Sequence, residues 1–209
     1  MTTLPAPSTR NVTRVFREAT PDQVAAGLDW YADAYKIAGA LAARYDVTLD
    51  TAAGILAALS PLNSWGANVN LAARFLDAGG LTSGYLGTGL RAGARILAGG
   101  SPLSVLAGKK VNNFFRCIVS AGETDAVCVD RHAFDLAVNT RQTDAVRPNL
   151  KGARYDTVAD AYRRAARILG VHAAQVQAVT WVSWRQRFWA VGAFDGHADL
   201  GLDTLSLGV

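Results

Sequence analysis

From Thr20 onward, apolar residues recur at helical spacing and are broken at intervals by Gly, Pro and Asn. Thr20-Pro21-Asp22-Gln23 has the form of a helix start: a capping Thr, Pro in the first turn, and Gln at the third helical position. Leu28, Tyr31, Ala32, Tyr35, Ile37 and Leu41 then follow one helix face. The pattern predicts further helices over about 50–58, 64–76 and 90–97, stopped at Ser60-Pro61, Gly79-Gly80 and Gly99-Gly100. Ser101-Pro102 opens a short helix, and Lys109 to Ile118 reads as another, with Val111, Phe114, Phe115 and Ile118 as its apolar face. After a turn at Gly122-Glu123-Thr124-Asp125, Asp130 caps a helix running to about Val138. A polar, basic connection carries Arg141, Arg147, Lys151 and Arg154, and two last helices are predicted over about 157–169 and 173–188. Ala126–Val129 is the only strand-like stretch. The expected fold class is all-α. Residues 1–12, with Pro5, Pro7, Ser8 and Thr9, read as a flexible arm, 13–189 as the folded domain and 190–209 as an acidic tail.

A chain of 209 residues fits one large domain or two small lobes sharing a cleft, and its 50 % apolar content supports a core without metal or disulfide staples. The net charge is +4, a modest excess whose distribution says more than its size. Between Gly79 and Gly122 there is no acidic residue, but there are Arg91, Arg95, Lys109, Lys110 and Arg116. Asp195, Asp199 and Asp203 give the tail the opposite bias. A basic middle suits a polyanion partner; the plainer alternative is a solvated face with ordinary charge scatter. Cys117 and Cys128 are too few for an iron–sulfur cluster and lack zinc-site spacing, so buried free thiols in a reducing cytoplasm are expected. No leader peptide or membrane-spanning stretch is visible. With only His132, His172 and His197, no metal and no other cofactor is expected.

The candidate chemistry lies in Lys109-Lys110 and in Val127-Cys128-Val129-Asp130-Arg131-His132. A lysine amine and a carboxylate brought together can act on a glycosidic carbon: the amine attacks or assists, and the carboxylate takes a proton or stabilises developing positive charge. Ala107-Gly108-Lys109-Lys110-Val111-Asn112-Asn113 followed by Val129-Asp130-Arg131-His132 resembles the core of the helix-hairpin-helix DNA glycosylases, the superfamily containing endonuclease III. Gly54 to Pro61, with Asn63, Trp65 and Asn68, is similar to that family's early helix and pocket loop. The resemblance covers about residues 48–140. It implies two helical lobes, a helix-hairpin-helix element and a cleft that admits a flipped base of bound DNA. It also implies Asp130 and Lys110 as the catalytic pair. Departures accompany it. Leu106 stands where the hairpin's first glycine is expected, Leu62 and Asn63 stand where relatives tend to place a gap-filling glutamine, and cluster cysteines are absent. A divergent, phage-type member would suit these departures.

Each candidate also has a plainer reading. Asp130 is an apt helix cap, Lys110 an ordinary surface lysine with Lys109 as its alternate, and His132 a packed histidine. Trp65 either stacks on an extruded base or anchors a core; Asn63 and Asn68 either read a base edge or close turns. Trp181, Trp184, Arg185, Arg187 and Trp189 form an aromatic–basic cluster, from which Trp184 is taken as substrate-binding and Arg185 as DNA-binding. Lys109, Asn113, Arg116 and Arg131 complete the expected DNA contacts. The leading expectation is a DNA N-glycosylase, with a lyase step if Lys110 forms an adduct. Its rivals are a phage enzyme of DNA base hypermodification on the same scaffold, and a non-catalytic DNA-binding helical domain.

Overall fold

The computed structural model describes residues 5–188; the expected acidic tail and Trp189 lie outside them. Ten helices and no strand occur among the described residues: α1 (Thr9–Glu18), α2 (Pro21–Arg44), α3 (Leu49–Ala58), α4 (Trp65–Asp77), α5 (Gly87–Leu97), α6 (Pro102–Val105), α7 (Lys109–Val119), α8 (Arg131–Ala137), α9 (Gly152–Leu169) and α10 (Ala173–Phe188). The all-α expectation holds. None of these helices is long and apolar enough to cross a membrane.

Local chemistry explains most boundaries. The Thr20 backbone N–H donates to the Gln23 side chain and the Gln23 N–H donates to the Thr20 hydroxyl, a reciprocal capping box. Thr48 and Ser64 accept from Thr51 and Ala67 at the starts of α3 and α4. At the ends of α4 and α5 the same Ala-Gly-Gly run appears. Gly79 and Gly99 take φ of 63° and 92°, and the N–H groups of Gly80 and Gly100 return to the carbonyls of Phe75 and Arg95.

The chain divides into two compact units. The first gathers residues 5–31 and 122–188, so it is built from both flanks of the sequence. Here α8, α9 and α10 pack on one another and on α1. Their core includes Val12, Val15, Phe134, Leu136, Tyr155, Val158, Tyr162 and Trp184. The expected loose arm is therefore corrected: the chain is helical from Thr9, and Val12 and Val15 are buried in this core. The arm's polar Pro/Ser/Thr composition hid a helix whose apolar residues are few and all face inward. Gly27 lets α2 approach α10 closely, since a Cβ there would lie 2.3 Å from the Val179 Cα.

The second unit holds residues 32–121 of the described chain. Its centre is α3, whose run from Ala52 to Leu59 is buried throughout and packs against α4, α5, α6 and α7. Alanines and Gly54 keep this helix thin, so four neighbours reach it. Residues 106–108 join α6, a single turn, to α7. Asn112 ties that connection down, donating to the carbonyls of Leu103 and Leu106 at 3.0 and 3.1 Å.

Candidate functional site

The approach to Asp130 is rigid because it is buried and bonded. Val127 and Val129 are 0 % and 1 % exposed. The Tyr155 hydroxyl donates to the Val127 carbonyl at 2.7 Å and accepts from the Val129 N–H at 3.1 Å. An extended backbone then delivers Asp130 as the cap of α8. Its Oδ1 accepts from the Ala133 N–H at 2.8 Å, and its Oδ2 accepts from the Trp181 indole N–H at 3.1 Å. The half-buried carboxylate is thus held at both oxygens, in a fixed direction.

Three elements supply the surroundings. From α10, Trp181 and Arg185 sit one turn apart, and the Arg185 guanidinium lies 4.7 Å from the Trp181 ring centroid. From the first part of α2, Trp30 meets Trp181 edge-on at 6.2 Å. The neighbouring Tyr31 hydroxyl donates to the Gln177 side chain at 2.9 Å. From α8, His132 meets Trp181 edge-on at 6.3 Å and accepts from Arg131 Nε at 3.4 Å. Burial holds the His132 imidazole below its ordinary value; Arg131 and Arg185 push the same way, while Asp130 and Asp135 oppose them. An accepting Nε2 agrees with a neutral ring.

Behind Asp130, the same short helix carries a second carboxylate. Asp135 is fully buried and receives Arg147 at both oxygens, Nε at 3.0 Å and Nη2 at 2.8 Å. Those hydrogen bonds raise the guanidinium above its ordinary value. Asp135 also accepts from the Gln142 N–H at 3.1 Å, so the basic connection after α8 is pinned to the helix that presents Asp130.

The structure brings Asp130, His132, Arg131 and Arg185 into one neighbourhood and adds Trp181, Trp30, Tyr31 and Gln177. Trp184 requires correction as a substrate-contacting residue. It is 2 % exposed, lies in the core and packs on Phe188 at 4.4 Å, and its indole N–H has no hydrogen-bond partner among the described residues. Asn68 is likewise corrected: it is 1 % exposed, and its amide donates to the Leu56 carbonyl, bridging α4 to α3 rather than meeting a base. Asn63 closes its own turn through the Leu59 carbonyl. Trp65 is half-buried and meets Phe114 edge-on at 6.1 Å. Lys109, Lys110, Asn113 and Arg116 all lie on α7 in the second unit. Lys109 and Arg116 are exposed, Lys110 and Asn113 are half-buried, and Arg116 donates to Asn112. Cys117 and Cys128 are buried free thiols.

The loop after α3, where Leu62 and Asn63 depart from the resemblance, has an unusual backbone. Leu62 is 89 % exposed with φ of 65°, a left-handed conformation unusual for a side chain of its kind. Its turn is over-determined: Ser60 and Asn63 bond back to α3 and the end of that helix, and the Tyr85 hydroxyl donates to the Pro61 carbonyl. Burial raises the Tyr85 phenol above its ordinary value.

A model of a protein family, described as a family of unknown function (DUF7178), matches residues 2–188. No curated protein and no solved structure matches the chain.

Proposed function

The chain belongs to the DUF7178 family, whose function is unknown, and from its site we propose an enzyme that cleaves the N-glycosidic bond of a modified or damaged base in DNA. The observation that carries this reading is the doubly held carboxylate of Asp130 set against the Trp181 indole. An aromatic wall of Trp181 and Trp30, with the Arg185 guanidinium beside it, suits a flat, electron-rich base taken out of its stack. As the bond between the base nitrogen and the sugar carbon breaks, its electron pair leaves with the base. The sugar is left with oxocarbenium character. Asp130, held at both oxygens and unable to swing away, stabilises that positive charge. Water adds to the sugar carbon and gives up its proton to Asp130 or to the neutral His132 imidazole; the departing base takes up a proton from solvent.

The test uses purified full-length protein and oligonucleotides carrying damaged or modified bases. Asn caps helices about as well as Asp, so Asp130→Asn keeps α8 while removing the charge. The Asn amide nitrogen cannot accept from the Trp181 indole N–H, so a modest fall in melting temperature is expected. Loss of base release in Asp130→Asn with the helical circular dichroism retained supports the reading, and equal release by both proteins refutes it. Borohydride trapping decides the nucleophile: an adduct formed by wild type and lost in Lys110→Gln would replace water with the amine.

A further inference from the structure

Away from Asp130, on the outer face of the first unit, α1 carries Arg10, Arg14 and Arg17 at spacings of four and three residues, which align on one side of the helix. Val12 and Val15 occupy the opposite side, in the core. The three arginines line a groove whose other side reaches Ile168 of α9, an isoleucine left 59 % exposed. Arg164, also of α9, donates to the Thr9 hydroxyl at the head of α1. Glu18 is the one acidic residue lining the groove, and it lies 3.5 Å from Arg14 and 4.0 Å from Arg187. Arg10 and Arg17 make no ion pair or hydrogen bond among the described residues. Thr13 lines the same groove, is 8 % exposed, and its hydroxyl has no hydrogen-bond partner there.

We propose that this α1–α9 groove binds the phosphate backbone of a nucleic acid, as a contact surface separate from the site at Asp130. Two unneutralised guanidiniums and a third offset by one carboxylate form a linear array of positive charge. Between Arg10 and Arg17 the helix rises about 10.5 Å, a length of duplex axis over which each strand carries about three phosphates. A regular polyanion matches that array, and guanidinium groups take phosphate oxygens in bidentate fashion. The exposed Ile168 gives the sugar edge an apolar neighbour, and the Thr13 hydroxyl offers a further donor. The partner class agrees with the DNA substrate proposed above, but the groove needs no catalysis to act.

The experiment measures binding of a labelled duplex oligonucleotide to the full chain by fluorescence anisotropy from about 50 to 200 mM salt. Wild type is compared with Arg10→Gln/Arg17→Gln, with the charge-preserving Arg10→Lys/Arg17→Lys, and with Asp130→Asn. Each lost phosphate contact lowers the slope of log affinity against log salt by about 0.9. The Gln pair is expected to lower it by nearly 2 and the Lys pair to leave it close to wild type. Asp130→Asn should keep the wild-type slope while losing base release, which separates failure of the groove from failure of the catalytic reading. The same slope in the Gln pair as in wild type overturns the proposal. So does binding of polyglutamate, in place of the duplex, that the Gln pair loses; that result makes the partner an acidic protein segment.

Discussion

Asp135 is the place where a single substitution should reveal how the site is supported. Asp135→Ala removes a fully buried carboxylate and leaves Arg147, whose side chain is 11 % exposed, without its principal partner. Removing one member of a buried pair typically costs 3–5 kcal/mol, because the other charge stays buried and unpaired, so the cost here falls in the region of 3–5 kcal/mol. The low end applies, since Arg147 keeps Asp144, which is 79 % exposed, and the Gln142 carbonyl. About 3 kcal/mol in a chain of this size lowers the melting temperature by roughly 6–12 °C. Urea denaturation followed by tryptophan fluorescence should show a lower midpoint with an unchanged slope. Arg147→Met should cost as much or more, by stranding the carboxylate. The double variant Asp135→Leu/Arg147→Met should lie closer to wild type than either single variant, since an apolar pair removes both desolvation penalties at once. Single variants within about 1 kcal/mol of wild type, or strictly additive effects in the double, would refute this account of the pair.

Three further outcomes follow from the same unit. Tyr155→Phe removes the hydroxyl that bridges the Val127 carbonyl and the Val129 N–H, which keep their bond to each other at 3.0 Å, and should cost about 0.5–1.5 kcal/mol in urea denaturation, with base release impaired because the approach to Asp130 loosens. Gly27→Ala places a methyl group against the Val179 backbone and should destabilise by at least about 1–3 kcal/mol; a melting temperature equal to wild type would show that α2 and α10 can part without cost. His132 titrates below its ordinary value in the folded protein, so the unfolded chain binds the proton more readily. Its contribution is intact above about pH 6.5 and is lost as pH falls through the depressed folded value. Melting temperatures across that acid range should fall in wild type and fall less in His132→Gln.

Much of the helical order was legible in the sequence, because caps and stops are local chemistry. Thr20 and Gln23, Gly79 and Gly99, and Pro102 mark their boundaries through bonds spanning a few residues. Two starts lie ahead of the apolar pattern: α5 begins at Gly87 and α9 at Gly152, where neither helix has a side-chain cap to announce it. The missed α1 has the same origin, since Ser8 makes no capping bond and the helix is fixed by packing on residues more than a hundred positions away. At the site, Asp130 and His132 were visible as a short motif. Trp30 was not, because only the fold carries residue 30 to residue 181. Trp184 and Trp181 differ by a side of α10 that sequence spacing does not resolve: the two lie three residues apart, yet one is sealed in the core and the other meets a carboxylate. Asp135 stood as one charge inside the apolar run from His132 to Val138, and its partner Arg147 was hidden in a connection with no periodicity.

The division of the chain also fixes an order of events on the ribosome. Residues 32–121 are contiguous and can gather their contacts as they emerge, whereas α1 must wait for α8, α9 and α10 to be translated. At about 5–20 residues per second that wait is on the order of ten to thirty seconds. For that interval Val12, Val15 and Phe16 have no finished core to enter. The nascent N-terminus is then a natural client for chaperones, and a chain cut short before α10 would leave one half assembled and the other without its last wall.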